Sequence, residues 1–206
     1  KTHRRADDLF SIVYTSGTTG EPKGVMLTHA NFDFQVEALE RPTAQQQMGP
    51  DGVSLCFLPL SHIYERQWNR IVLYYGYANA YLDKPQRFIE AAAAVQPQTF
   101  CSVPRIFEKI HAAIQDKIAG SGPFTATMVR HALKTGRRCY LRLKNGESLS
   151  AFSRMHLSVM DWLVLRRMRE ILGGNMRNAP CGGAPLSATL QEFFCGLGIT
   201  VRSGYG

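Results

Sequence analysis

Apolar runs of strand length alternate along the chain with segments whose apolar positions recur at helical spacing. The strand-length runs are rich in β-branched or aromatic residues and are bounded by turn residues, and they lie at 8–14, 25–27, 53–58, 77–82, 99–103, 176–179 and 199–203. Helices are predicted at 31–39, 64–75, 88–95, 104–119 and 187–197, with two more between 123 and 172, the second at about 152–172. Asn31 and Ser187 are expected to cap two of them. Strands that alternate with helices predict an α/β fold with mostly parallel sheets flanked by helices.

Composition narrows the class of protein. The chain has 206 residues, of which 45% are hydrophobic and 19% charged, which is typical of a folded domain and excludes disorder. The polar segment at 41–52 is the candidate internal boundary. Five cysteines at irregular spacings indicate neither a disulfide framework nor a zinc site, so we expect a reducing, cytoplasmic location. No apolar run is long enough for a membrane span, and no leader is expected.

The net charge of +8 is concentrated in one part of the chain. Residues 130–169 contain ten basic residues and two acidic ones, whereas the rest is balanced. Solvated helix faces are the simplest explanation. Contact with an anionic surface is the alternative, and for the helix at 152–172 we weigh core packing against peripheral contact with the inner face of a membrane. No nucleic-acid-binding motif accompanies the charge, so no nucleic acid partner is expected.

The strongest local feature is a loop at 15–24 that is rich in hydroxyl groups and glycine. It contains Thr15, Ser16, Gly17, Thr18, Thr19, Gly20, Lys23 and Gly24. Glycines let backbone N–H groups approach phosphate oxygens, hydroxyls donate hydrogen bonds, and lysine adds a positive charge. The loop is not a Walker motif, because Pro22 stands where that motif needs glycine and a strand follows instead of a helix. An ordinary hairpin turn needs only two to five residues, so the pattern favours a phosphate site.

Four segments together resemble the adenylate-forming, or AMP-binding, superfamily and within it the long-chain fatty acyl-CoA synthetases. They are YTSGTTGEPKGV at 14–25, LPLSHIYER at 58–66, VPRIFEKI at 103–110, and GGAPL at 182–186 with GYG at 204–206. The resemblance covers essentially the whole chain. It implies a central part, 1–206, of the large N-terminal domain of such an enzyme, with the C-terminal domain and its catalytic lysine outside this segment.

The resemblance also implies the chemistry and the site residues. A carboxylate attacks the α-phosphorus of ATP, and coenzyme A then displaces AMP from the acyl-adenylate. The loop from Thr15 to Lys23 is expected to hold the β- and γ-phosphates, with Thr15 as a candidate Mg²⁺ ligand, since Mg²⁺ and oriented donors must neutralise the developing charge.

A second set of residues resembles the adenine site of the family. Its members are Gly182, Gly183, Ala184 and Pro185, with Tyr205 as the aromatic residue that packs on the base and Gly206 beside it. By itself a Gly-Gly-Ala-Pro segment is as often a structural turn. Cys181 stands where the family usually has serine, and no nucleophilic role is assigned to it.

His62 resembles the family residue between the acyl tunnel and the adenylate site, which implies a positioning role in catalysis. The residues alone favour a structural histidine, because no carboxylate partner or metal-ligand spacing accompanies it. Glu65 and Arg66 are neighbours in the following helix, so they are expected to point to different sides and to pair elsewhere.

Three functions remain open at this point. The first is a long-chain fatty acid–CoA ligase, of which these 206 residues alone are expected to be inactive. The second is an adenylating ligase for an aryl or amino acid carboxylate. The third is an adenine-nucleotide-binding module without catalysis.

Overall fold

The computed structural model describes residues 5–15, 20–39 and 51–204. The strands are β1 (Leu9–Thr15), β2 (Lys23–Thr28), β3 (Val53–Cys56), β4 (Ala78–Tyr81), β5 (Asn178–Cys181) and β6 (Thr200–Ser203). The helices are α1 (His29–Leu39), α2 (Ile63–Tyr74), α3 (Phe88–Val95), α4 (Pro104–Ala119), α5 (Pro123–Lys144), α6 (Ala151–Met160), α7 (Arg166–Arg169) and α8 (Ala188–Gly196). The predicted boundary at 41–52 lies mostly outside the described residues and stays a prediction.

The glycine-rich loop connects two antiparallel strands. β1 pairs with β2 from Leu9 opposite Thr28 to Thr15 opposite Lys23. Helix α1 follows β2 directly, and its start differs from the prediction. The Asn31 side chain accepts a hydrogen bond from the Thr28 backbone N–H at 2.9 Å, and the Thr28 hydroxyl accepts one from the Asn31 N–H at 3.4 Å. Thr28 is therefore the residue that caps α1, with Asn31 reaching back to it in a reciprocal arrangement.

The remaining strands form a parallel sheet. β3 pairs with β4, and β5 pairs with β6, both in parallel. The segment 98–102 lies between β3 and β5 and joins the two pairs through bridges from Thr99 to Ser54 and to Asn178, and from Ser102 to Cys181. This segment was predicted as a strand at 99–103, but Pro104 starts α4 directly after it, so it supplies bridges instead of a continuous ladder. The spatial order is β4, β3, segment 98–102, β5, β6.

Helices pack on this sheet through a chain of aromatic rings. Phe88 of α3 contacts Phe100 at a centroid distance of 4.8 Å, and Phe107 of α4 contacts both Phe100 and Phe194 of α8 at 5.8 and 5.3 Å. Phe100, Phe107 and Phe194 are almost fully buried. This contiguous core between helices and a parallel sheet confirms the predicted α/β class.

The helix predicted at 152–172 is divided into four parts. α6 continues into a π-helical stretch at Asp161–Leu165, then α7, then a 3₁₀ turn at Glu170–Leu172. The guanidinium group of Arg169 is buried and donates to both carboxylate oxygens of Asp161, at 2.6 and 3.0 Å, and to the Leu197 carbonyl oxygen at 2.9 Å. Gly173 ends the run in a left-handed conformation. Within the described residues, no helix combines the length and apolarity needed to cross a membrane.

Candidate functional site

The carboxyl ends of the central strands meet at one edge of the sheet. The N–H of Gly182, directly after β5, donates to the Ser102 carbonyl oxygen at 2.9 Å. The N–H of Gly204, directly after β6, donates to the Cys181 carbonyl oxygen at 2.8 Å. In parallel α/β sheets, ligands bind in the crevice outside the carboxyl ends of the strands. This edge is therefore the expected position for a ligand.

The two adjacent glycines after β5 are required for different structural reasons, the first by lack of space and the second by its backbone conformation. A Cβ atom on Gly182 would lie 2.9 Å from the ring carbon Cζ of Tyr64, which is closer than real Cβ contacts. Gly183 has φ +77°, a conformation that side chains rarely adopt. Gly182 is buried, whereas Gly183, Ala184 and Pro185 are exposed. The predicted adenine loop is thus an exposed turn fixed at its first residue, and Ser187 caps α8 after it, as predicted.

His62 lies directly before α2. Its backbone is extended and its side chain is exposed, and it makes no capping hydrogen bond to the helix. Two residues later, the Tyr64 ring packs on Gly182, and its hydroxyl oxygen is buried with no hydrogen-bond partner in the part of the chain that the structure describes. The structure therefore brings the start of α2, which follows His62, against the first residue of the predicted adenine loop.

Arg66, in the same helical turn, contacts the hairpin that holds the glycine-rich loop. Its guanidinium group donates to the Ser11 hydroxyl of β1 and to the Leu60 carbonyl oxygen, the latter at 3.0 Å. One turn further along α2, Arg70 forms an ion pair with Asp33 of α1. The first turns of α2 thus lie between the hairpin unit on one side and the edge of the sheet on the other.

Glu65, between Tyr64 and Arg66, is fully buried. One carboxyl oxygen accepts from the Cys101 thiol at 3.0 Å, and the other accepts from the Asn69 side-chain amide at 3.2 Å. Burial raises the pKa of this carboxyl group, and hydrogen bonds from Cys101, Cys56 and Asn69 only partly oppose the shift. As predicted, Glu65 and Arg66 point to different sides of the helix. The structure gives Glu65 hydrogen-bonding partners instead of an ion pair.

Sequence reasoning missed the importance of Glu65. A usable signal was Asn69, which stands four residues later and therefore shares its helix face. The other partner, Cys101, is 36 residues away in sequence, and only the tertiary fold brings it to Glu65.

The cysteines around this edge are buried thiols. Burial raises the pKa of Cys56 to about 12 and that of Cys181 to about 11, and it raises the pKa of Cys101 as well. A thiol with such a pKa stays protonated at neutral pH and is a poor nucleophile. These values support the absence of a nucleophilic role for Cys181.

At the base of the glycine-rich loop, Thr15 and Lys23 lie opposite each other. The Thr15 hydroxyl donates to the Lys23 carbonyl oxygen at 3.4 Å, and both residues are exposed. Gly20 has φ +88°, a backbone conformation that glycine adopts more readily than any residue with a side chain. The other predicted loop residues, Ser16, Gly17, Thr18 and Thr19, lie outside the described residues, as do Tyr205 and Gly206 of the predicted adenine site.

The chemistry of the donors fits Mg²⁺ only in part. The exposed hydroxyl of Thr15 is a hard oxygen donor of the kind that Mg²⁺ prefers. Across residues 5–15, 20–39 and 51–204, however, no group of three or more His, Cys, Asp or Glu side chains could hold a metal ion. Of the described residues, Thr15 stays the predicted Mg²⁺ ligand, and the resemblance implies an acidic partner for it outside this segment.

Comparisons with known proteins find relatives along almost the whole chain. The family model described as AMP-binding enzyme matches residues 1–206. The peroxisomal long chain acyl-CoA synthetase 7 of Arabidopsis thaliana is 34% identical over 98% of this chain, and the long-chain-fatty-acid–CoA ligase FadD15 of Mycobacterium tuberculosis is 33% identical over 98%. The chain spans 27% and 33% of the length of these two relatives.

Solved structures show the same fold. The adenylation domain of a carboxylate reductase from Mycobacterium chelonae matches 98% of this chain with a TM-score of 0.64 and 25% identity, over 27% of its own length. The N-terminal domain of FACL13 from Mycobacterium tuberculosis matches the whole chain with a TM-score of 0.58 and 17% identity, over 38% of its own length. The fold, the segments that form the edge of the sheet and the match along the full chain lead to one conclusion: the chain belongs to the AMP-binding enzyme family.

Proposed function

We propose that the protein containing this chain activates a long-chain fatty acid with ATP and transfers the acyl group to coenzyme A. The observation that carries the proposal is the position of α2, whose first turn contacts the hairpin of the glycine-rich loop through Arg66 and the Gly182 turn through Tyr64. In the proposal, the hairpin loop binds the phosphates and the Gly182 turn binds adenine, so that ATP would lie across the first turn of α2. The names of the curated relatives support the long-chain acyl substrate.

The reaction has two displacement steps. A fatty acid carboxylate oxygen forms a bond to the α-phosphorus of ATP, the bond between that phosphorus and the α–β bridging oxygen breaks, and pyrophosphate leaves. The sulfur of coenzyme A then bonds to the acyl carbon, the thiol proton is lost, and AMP leaves with the electrons of the carbon–oxygen bond. Both the nucleophile and the nucleotide are anionic in the first step, so positive charge and oriented donors are its main catalytic requirement.

The residues of this chain have separate roles in the proposal. The exposed lysine of the hairpin, Lys23, places a positive charge at the β- and γ-phosphates, and the hydroxyl and glycine N–H groups of residues 15–20 donate to their oxygens. Mg²⁺, when bound with ATP, would neutralise phosphate charge and take Thr15 as a protein ligand. The turn formed by Gly182, Gly183, Ala184 and Pro185, with Tyr205 and Gly206, would bind adenine. His62 would position the carboxylate beside the α-phosphate.

Residues 1–206 by themselves are expected to be inactive. The resemblance places the catalytic lysine in a C-terminal domain, and this chain matches 27–33% of the length of its curated relatives. Formation of an acyl-adenylate by these 206 residues alone would contradict this expectation.

An adenylating ligase for another carboxylate is the second candidate. The observation that favours it is the fold, since carboxylate reductase adenylation domains are among the structures that match. A panel of long-chain, aryl and amino acid substrates, offered to the full-length protein with ATP, Mg²⁺ and coenzyme A, separates the two. Conversion of a long-chain acid supports the first proposal, and conversion of only aryl or amino acids supports the second.

The same panel includes a Lys23→Ala, Thr18→Ala variant. Loss of turnover in this variant, with a matched Lys109→Ala control unchanged, would support the role of the loop. Tight ATP binding without turnover of any carboxylate would instead indicate a nucleotide-binding module.

We also propose that the enzyme contacts the inner face of a membrane from the cytoplasm, because its acyl substrate dissolves in bilayers. An exposed apolar stripe runs along α6 and its π-helical continuation, formed by Phe152, Met155, Val159 and Trp162, and the exposed Arg166 and Arg167 follow it. Such a pairing of apolar and basic residues favours an anionic lipid surface.

Arg169, which the sequence grouped with this basic segment, is buried against Asp161 and is not part of the surface. A cytoplasmic location agrees with five free cysteines.

Flotation of the full-length protein with anionic vesicles tests this contact. We expect Trp162→Ser or an Arg166→Gln, Arg167→Gln pair to reduce the floated fraction, with Lys109→Gln as the exposed control. Unchanged flotation in all variants would contradict it.

A further inference from the structure

Glu65 is an unusual residue because its carboxyl group is fully buried among neutral partners. Its side chain accepts hydrogen bonds from the Cys101 thiol and the Asn69 amide, and the pKa of Cys56 is also raised by this carboxyl. No ion pair joins it to a Lys, Arg or His among the residues that the structure describes. A buried carboxyl group without a cation lowers the stability of the fold, so its presence here requires an explanation.

The network around Glu65 connects three elements of the sheet to α2. The Cys101 thiol belongs to segment 98–102, and Asn69 accepts a hydrogen bond from the Tyr81 hydroxyl of β4 at 2.8 Å. The Cys56 thiol of β3 donates to the Asn79 side-chain oxygen of β4 at 2.9 Å, and the Asn79 amide donates to the Asn69 carbonyl oxygen of α2 at 3.3 Å. These contacts fix the rotation of α2 about its own axis relative to the ends of the strands.

The rotation of α2 decides where the neighbours of Glu65 point. Successive residues of a helix are about 100° apart around its axis. Tyr64, Glu65 and Arg66 accordingly contact three different parts of the molecule: the Gly182 turn, segment 98–102 and β1. A change in the hydrogen bonds of Glu65 would therefore move Tyr64 and Arg66 together.

We propose that Glu65 is a positioning residue of the adenylation site, which sets the spacing between the phosphate hairpin and the adenine turn by hydrogen bonding as a buried carboxyl group. The inference rests on the proposed function. Glu65 is fully buried and acts through α2, so it is not a catalytic residue.

Shape alone does not account for this residue. Leucine would fill a similar volume, but it would leave the Asn69 amide without its side-chain partner and would remove the directional contact to Cys101. Glutamine keeps both contacts, because its oxygen can accept from Asn69 and its amide can donate to the Cys101 sulfur. The Glu65→Gln and Glu65→Leu variants therefore separate hydrogen bonding from filling of space.

The experiment measures fatty-acid-dependent ATP–pyrophosphate exchange by the full-length protein, with rates expressed per titrated active site. The variants are Glu65→Gln, Glu65→Leu and Cys101→Ala, with the exposed Glu108→Leu as control. We expect Glu65→Leu to raise the KM for ATP and lower kcat, with a loss in kcat/KM of about 100-fold, comparable to the loss of one positioned donor group. Cys101→Ala should raise the KM for ATP to a smaller extent, and Glu65→Gln should stay within about threefold of the wild type.

A purely structural role would reduce the number of active sites without changing the KM for ATP. A wild-type KM in both Glu65→Leu and Cys101→Ala would therefore overturn the proposal, as would an equal loss in Glu65→Gln and Glu65→Leu. If Glu65→Leu does not fold, a wild-type KM for ATP in Cys101→Ala overturns the proposal, as does a loss of activity in Glu65→Gln beyond the range stated above. Absence of exchange in the wild type would instead refute the proposed function, which keeps the two failures distinguishable.

Discussion

The two halves of the candidate nucleotide site are built in opposite ways. The hairpin β1–β2 is largely exposed, with Tyr14 at 69% and Met26 at 70% of their full accessibility. At the edge of the parallel sheet, Cys101 and Cys181 are fully buried, and helices cover the strands behind them. The difference shows that the described residues at the base of the hairpin, Thr15 and Lys23, are available for a ligand, whereas residues at the sheet edge must also pack in the core.

This contrast leads to a general expectation for substitutions. Changes in the exposed hairpin should alter activity with little effect on stability, because few contacts are lost. Changes in the packed body, which is the parallel sheet with its covering helices, should mainly alter stability. Changes at the edge of that sheet should alter both stability and activity. Four substitutions test this expectation, in order of decreasing effect on stability.

The largest loss of stability is expected for Gly136→Ala. Gly136 of α5 lies against α8, and a Cβ atom there would be 1.9 Å from the Gly196 carbonyl oxygen, so the two helices would have to separate. We expect a loss of about 3 kcal/mol or more, at the upper end of the usual range for overpacking. Thermal unfolding of the full-length protein measures it. Gly146→Ala, in open space with φ +78°, is the control, for which a loss of about 1 kcal/mol is expected. Equal melting temperatures for Gly136→Ala and the wild type would contradict the packing.

The second-largest loss of stability is expected for a change at Arg169, a buried cation in α7. Arg169→Met removes the ion pair with Asp161 and the donor to the Leu197 carbonyl oxygen. We expect a loss of about 3 kcal/mol, the lower end of the range for breaking a buried pair, because Asp161 is partly exposed and can be hydrated. The exposed pair of Arg87 and Glu90 supplies the control, and Arg87→Met should leave the melting temperature unchanged.

The third effect depends on pH. Burial raises the pKa of Glu65 above its usual 4.5, so the native state keeps this proton at pH values where the unfolded chain has lost it. Stability from Glu65 is therefore complete below pH 4.5 and is lost as the pH rises through the raised pKa, by up to about 1.4 kcal/mol per pH unit. The other titratable groups facing it, Cys56, Cys101, Tyr64 and Tyr81, have raised pKa values and do not become charged there.

Glu65→Gln should remove this pH-dependent loss. The difference in unfolding free energy, variant minus wild type, should become more positive as the pH rises above 4.5. Melting temperatures measured at a series of pH values give this difference. A difference that is constant with pH would show that the native carboxyl group titrates normally.

The smallest effect on stability is expected in the hairpin. Lys23→Ala should change stability by no more than about 0.5 kcal/mol, because Lys23 is exposed. Its activity should nevertheless fall by about 100-fold, because a charge at the transferring phosphates is lost. Lys109→Ala, exposed on α4, should change neither property. A large loss of stability in Lys23→Ala would remove the contrast between the two regions.

Much of the fold could be predicted because the local pattern decides it. The helix at Phe88–Val95 has the predicted bounds, and Ser187 caps α8 as expected. The predictions failed where tertiary contacts compete with local preference. Segment 98–102 is confined between β3, β5 and the helix that starts at Pro104, and the helix after Ala151 includes a π-helical stretch beside the contact between Arg169 and Asp161.

The candidate site was predictable to a different extent in its two halves. The hairpin loop has a local signature, since hydroxyls, glycines and lysine stand within ten residues. Glu65 has a weaker local signal, Asn69 on the same helix face, because its burial depends on Cys101 and on strands that are distant in sequence. The structure places Thr15 and Lys23 together and Gly182 beside the turn after His62. The roles of these residues toward ATP stay predictions.

The most direct test of the central claim is detection of the acyl-adenylate itself. The full-length protein would be incubated with ATP, Mg²⁺ and a long-chain fatty acid in the absence of coenzyme A, and the product would be identified by mass spectrometry beside the Lys23→Ala, Thr18→Ala variant. We predict an acyl-adenylate in the wild type, formed with equimolar pyrophosphate and at least 100-fold more slowly in the variant, on the order expected for lost phosphate contacts. ATP binding without adenylate formation from any long-chain acid would contradict the claim.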